Sequence, residues 1–203
     1  MTYRKTIFWL VSPLVLAFLC YWLTFSNDKV FWYFYSFTTL FLASIAFYKG
    51  DIQDELKTIP FMGYGLLFGT LSYLVVLIAY KLMEILPFVS TKGVSSFLED
   101  FGPNTLWHFI LLFILIVPGE ELFWRGFLQS QLKKLVPPLY AIVISAVLYG
   151  AVFAFSEFSL GTIAFAVIGA AFGILYEWKK SMPLIIVAHI TLLLLFFIIF
   201  PVA

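Results

Sequence analysis

Runs of about twenty apolar residues, each bounded by charged or turn-forming residues, recur seven times along this chain, and that is the length a helix needs to cross the hydrocarbon core of a bilayer. They are Ile7–Phe25, Val30–Tyr48, Pro60–Tyr80, Leu106–Gln129, Tyr140–Phe155, Leu160–Trp178 and Pro183–Val202. Inside hydrocarbon every backbone N–H and C=O must be satisfied within its own segment. A chain built this way is therefore expected to fold as an all-α, polytopic membrane helix bundle. The fifth run is short and Pro118-Gly119 interrupts the fourth, so eight helices with a split fourth segment is the alternative count.

With 63% hydrophobic and 11% charged residues and a mean hydropathy of +1.04, no water-soluble domain of this length could hide its apolar surface. A net charge of +1, with the basic residues in short clusters at the ends of apolar runs, argues against a nucleic-acid partner. The single cysteine, Cys20, lies inside the first run and supports neither a disulfide framework nor a cysteine zinc site. Met-Thr-Tyr-Arg-Lys ahead of a long run with no small-x-small cleavage site reads as a retained signal anchor. Lysine and arginine placement sets the orientation, since cytoplasmic loops carry the excess. With the N-terminus in the cytoplasm, Arg4, Lys5, Lys49, Lys57, Lys133, Lys134, Lys179 and Lys180 lie inside and Lys29, Lys81 and Lys92 outside. This predicts a multi-pass protein of the cell membrane with its C-terminus outside. The longest non-spanning stretch, about Lys81 to Asn104, then lies outside too.

Ionisable groups at membrane depth cost about 2.5–3.5 kcal/mol each on insertion scales and mark functional sites by default. Four stand out: Glu120, Glu121 and Arg125 in the fourth run, and His189 in the seventh. On a helix Arg125 follows Glu121 by four residues, the favourable spacing for an ion pair, while Glu120 points about 100° away. Two carboxylates this close resist joint ionisation in a low dielectric, which suits one of them to act as a general base near neutral pH. A structural ion pair tying two helices is the competing reading of the same spacing, and a hydrogen-bonded core histidine that of His189.

Glu120-Glu121-x-x-x-Arg125, within Pro-Gly-Glu-Glu-Leu-Phe-Trp-Arg-Gly-Phe-Leu-Gln, resembles the first motif of the CPBP family, intramembrane proteases related to the CAAX prenyl endopeptidases and to bacteriocin-processing proteins. The likeness runs from about Leu106 to the C-terminus. It divides one membrane domain into helices 1–3 with the outer loop (1–105) and a motif-bearing core (106–203). The resemblance implies that Glu120 activates water, with Glu121 and Arg125 as its motif partners, and that His189 opens the third motif, His-x-x-x-Asn or Asp. Four residues on, however, stands Leu193, and the second motif, Phe-x-x-x-His, falls on Tyr149-Gly-Ala-Val-Phe153, so Phe153 occupies the histidine position.

Phe153 can neither donate nor ligate, so a water on Glu120 would depend on His189, with Tyr149 or Glu157 as the candidate substitutes for the missing imidazole. A zinc site of two histidines and a glutamate would have to recruit His108, twelve residues before Glu120 and about 18 Å away on a straight helix; no metal or other cofactor is expected. Depth poses a further difficulty. Counted from a flat edge, His189 is about 9 Å in and Glu120 about 22 Å from Val136, so the two meet only if Gln129–Lys134 lies along the interface. These departures favour a family member with weakened or absent proteolysis, acting as a membrane scaffold or regulator of a partner protein. The alternative is an active, glutamate-dependent endopeptidase cutting a membrane-anchored or prenylated peptide. The expected partners are membrane lipid and another membrane protein or membrane-anchored peptide. A transporter would need polar pore-lining residues on several helices, and few are available.

Overall fold

The computed structural model describes residues 3–86 and 90–201, with side chains from Ile7 onward. Among the described residues eight helices longer than two turns make up the fold: α1 (Tyr3–Phe25), α2 (Phe31–Lys49), α3 (Thr58–Ile85), α4 (Lys92–Phe101), α5 (Leu106–Leu132), α6 (Pro138–Val152), α7 (Ser159–Lys179) and α8 (Met182–Ile199). All but α4 are long and apolar enough to cross a membrane. Among the described residues the strand-like pairing is confined to one antiparallel bridge, Asp54 with Ser181. The chain is an all-α polytopic bundle and a multi-pass membrane protein.

The fourth run does not split at Pro118. A proline lacks the N–H and clashes with the carbonyl four residues back, and α5 absorbs both by widening. The Val117 N–H reaches the Leu112 carbonyl five residues earlier, in π turns over Leu112–Ile116 that recur over Leu122–Gln129. Such bulges let a membrane helix carry proline without exposing backbone to lipid, so Leu106–Leu132 is one span of 27 residues.

Helix α5 is the centre of the bundle, with Ile116, Phe123, Trp124, Phe127 and Leu128 all fully buried. Around it, α3 lies against α8 because Gly65 and Gly69 leave room for the backbone: a Cβ on Gly69 would stand 2.5 Å from the Ala188 carbonyl oxygen. Close approach over small residues is how helices associate in lipid, where burial of apolar surface supplies no drive. The stretch between α3 and α5 holds the amphipathic α4. It turns Phe97 and Phe101 onto Phe31 and Phe158, with ring centroids 4.8–5.3 Å apart, and leaves Lys92, Glu99 and Asp100 exposed.

The opposite end is polar. A strap of residues 50–57 crosses it, the Asp51 N–H donating to the Gly126 carbonyl, the Glu55 N–H to that of Lys180, and the Gln53 carbonyl accepting from the Met182 N–H, all at 2.8–2.9 Å. Lys133 meets Glu177 across α5 and α7 at 2.7 Å. Lys49, Lys133, Lys134 and Lys180, assigned to one side from sequence, thus share one end of the bundle.

Candidate functional site

Three of the four intramembrane charges form one buried chain of contacts. Glu121 and Arg125, one turn apart on α5, approach to 3.0 Å through Oε2 and Nη1, with 0% and 2% of their side chains exposed. Neither atom has an aligned hydrogen-bond partner, so charge more than directionality holds this pair. Arg125 donates through Nη2 to the Gly169 carbonyl at 3.1 Å, and its guanidinium lies over the Tyr149 ring, 4.8 Å from the centroid. The other oxygen of Glu121 receives His189 Nδ1 at 2.7 Å. An ionised carboxylate only accepts, so Nδ1 of His189 carries the proton. Glu121 therefore ties α8 to α5, and Arg125 ties α7 to both.

The fourth charge stands apart. Glu120 accepts hydrogen bonds from Tyr21 at 2.9 Å and Tyr35 at 2.6 Å on Oε1, and from Tyr149 at 3.1 Å on Oε2. A carboxylate offers about four lone-pair sites, and phenols fill three. Glu120 is 3% exposed, and Tyr21, Tyr35, Tyr149 and Trp124 around it are buried. Of the two proposed substitutes for the missing imidazole, Tyr149 reaches the carboxylate. Glu157 does not: it is exposed, in a left-handed turn (φ 61°) after α6, because the chain must reverse there. At the position where the motif has histidine, Phe153 stacks face to face on Phe165 with centroids 3.7 Å apart. Leu193 packs against the core.

The depth difficulty disappears, for a reason other than the one expected. Gln129–Leu132 does not lie along the interface; it continues α5, with Gln129 and Gln131 buried. Instead α8 begins inset. The Met182 methyl is 3.0 Å from where a Cβ on Gly126 would stand, so the first turn of α8 is level with Gly126, and the strap fills the space beyond it. Five residues back from Gly126 and seven on from Met182 bring Glu121 and His189 together. His108 remains far off, near the start of α5, its ring stacked on Trp32 with centroids 4.4 Å apart. Among the described residues no three of His, Cys, Asp or Glu gather as metal ligands would. The donor set does not fit a zinc site.

Tyr21 and Tyr35 are the functional side chains that sequence reasoning missed. They lie in spans to which only hydrophobicity was assigned. The available signal was chemical: a tyrosine O–H in the middle of an apolar run must find an acceptor when buried, and Glu120 and Glu121 are the acidic acceptors at that depth. A cleft of about 210 Å³ enters from the lysine-bearing end between the strap, α5 and α7 and reaches Arg125. Glu120 and His189 are not among its lining residues.

Comparison with known families yields a match over residues 102–195 to the family model described as Type II CAAX prenyl endopeptidase Rce1-like. The match covers just under half the chain and contains Glu120, Glu121, Arg125 and His189, but not Tyr21 or Tyr35. No curated protein and no solved structure matches the chain.

Proposed function

We propose that this chain, which matches the type II CAAX prenyl endopeptidase Rce1-like family model through residues 102–195, is a member of that family with weakened or absent proteolysis, serving as a membrane scaffold or regulator of a partner protein. One observation carries the reading: the carboxylate that would activate water is already bonded to three phenols. A general base needs a free lone pair within hydrogen-bond reach of its water. At Glu120 phenols take most of that capacity, two of them from helices outside the family match.

In this reading the inherited charges are ties. Glu121 joins His189 of α8 to Arg125, and Arg125 joins α7 through Gly169. Glu120 gathers Tyr21 of α1, Tyr35 of α2 and Tyr149 of α6 on α5. Four spans thereby meet α5 through two adjacent carboxylates and a fifth, α7, through Arg125, which leaves a rigid bundle whose outer faces are free for another membrane protein, a membrane-anchored peptide or lipid. The excess of lysine at the strap end supports an N-terminus in the cytoplasm and a C-terminus outside. No zinc or other cofactor is called for.

The active-endopeptidase alternative rests on one feature, the His189 imidazole held by Glu121 at 2.7 Å, an oriented group that a reduced site could still use. Reconstitution of the protein into liposomes with prenylated and unprenylated membrane-anchored peptides separates the two. Peptide hydrolysis no faster with the native chain than with Glu120→Gln is expected. Cleavage by the native chain, reduced by the 10²–10⁴ that a lost general base typically costs, would establish the enzyme instead.

A further inference from the structure

We propose that the cleft at the lysine-bearing end binds the headgroup of an anionic glycerophospholipid, with Lys133 and Lys134 holding its phosphodiester. Its volume of about 210 Å³ equals about seven waters at liquid density, room for a phosphodiester with a short polyol. Arg125 and Gln129, 2% and 1% exposed, are buried lining residues built into α5. Lys133 spends one of its three N–H donors on Glu177, and Lys134 one on the Gln131 side chain, so each keeps donors for a phosphate. Arg125 is matched by Glu121, and Glu177 is shared between Lys133 and Lys180. Among the residues that line the cleft, three cations (Arg125, Lys133 and Lys134) face two anions (Asp51 and Glu177), and the surplus of one fits a singly charged phosphodiester. Asp51, without an ion-pair partner among the described residues, offers an acceptor to the hydroxyls of the polyol.

The depth of the cleft identifies the source of the phosphate. At the same end, Lys49 lies over the rings of Trp9 and Tyr48, and Lys179 over those of Trp178 and Tyr64, at 3.6–4.4 Å from the centroids. Tryptophan and tyrosine beside snorkelling lysines mark the headgroup level of a bilayer. Basic pockets between spans at that level hold lipid headgroups, and each basic residue near the surface contributes about 1 kcal/mol toward anionic lipid. At about 1.4 kcal/mol per tenfold, that is about fivefold in affinity per lysine and about 25-fold for the pair.

The test is a lipid titration of the full chain in neutral detergent, read by native mass spectrometry and by the thermal midpoint. Phosphatidylglycerol is expected to bind and raise the midpoint, while phosphatidylcholine and inorganic phosphate at the same concentrations do neither. The paired substitution Lys133→Ala with Lys134→Ala should weaken phosphatidylglycerol binding about 25-fold, and Lys133→Arg with Lys134→Arg should retain it, which separates lost charge from lost fold. Equal binding by the alanine pair, an equal effect of phosphatidylcholine, or an equal effect of free phosphate would each overturn the proposal. None of these readings depends on whether Glu120 is catalytic.

Discussion

Replacing Arg125 by alanine would leave Glu121 ionised, fully buried and without its cation. Removing one partner of a buried ion pair costs about 3–5 kcal/mol, because the remaining charge is stranded in a medium that cannot solvate it. The Gly169 carbonyl also loses its donor, and a buried unsatisfied acceptor costs about 1–3 kcal/mol. Against this, His189 still bonds Glu121 at 2.7 Å, which offsets part of the loss. The two terms sum to about 4–8 kcal/mol, and less that offset about 3–5 kcal/mol is the expectation. For a chain of about 200 residues 1 kcal/mol moves the thermal midpoint by about 2–4 °C, so Arg125→Ala should melt about 6–20 °C below the native protein in the same detergent. Tryptophan fluorescence and monodispersity on size exclusion follow it. The control is Glu121→Gln with Arg125→Met, which removes both charges at similar volume. If the buried charge is what hurts, this pair should be more stable than Arg125→Ala alone. An alanine variant within about 2 °C of native would mean that the guanidinium is hydrated, and the depth assigned to it wrong.

Other outcomes follow from the same geometry. Tyr35→Phe, which removes the shortest of the three bonds to Glu120, should cost about 1.5–3 kcal/mol, the range for a hydrogen bond to a charged group; a triple Tyr→Phe variant at positions 21, 35 and 149 that melts like the native chain would show that the phenols do not hold the carboxylate. Phe153→His with Leu193→Asn restores the polar residues of the family motifs, yet peptide cleavage in liposomes should stay at background, since the phenols still occupy Glu120 and the Phe165 stack is broken; a gain of proteolysis would refute the phenol lock. In a Cys20→Ala background, a cysteine at position 92 should react with an impermeant maleimide from outside the cell and one at position 180 should not, and labelling at 180 would reverse the proposed orientation.

The seven spans were legible in the sequence because membrane insertion is a property of local hydrophobic length: about twenty apolar residues decide it before any neighbour is in place. The Glu121–Arg125 pair was equally legible, for helical spacing alone puts those side chains on one face. Pro118 shows where local reading stops, since whether a proline breaks a helix or is absorbed by π turns depends on the packing around it, and here α5 is enclosed from Ile116 to Leu132. The same holds for Glu120. Its carboxylate is met by Tyr21 and Tyr35, 99 and 85 residues away in the chain, and no periodicity relates a phenol in one span to an acid in another. Likewise the strap of residues 50–57 reads in sequence only as a short polar loop. It is the folded bundle that carries it beneath α8, sets that helix inward by several residues, and so brings His189 level with Glu121. Hydrophobic length acts along the chain and is written there; the pairing of polar groups inside the bilayer acts between helices, and is settled only when they pack.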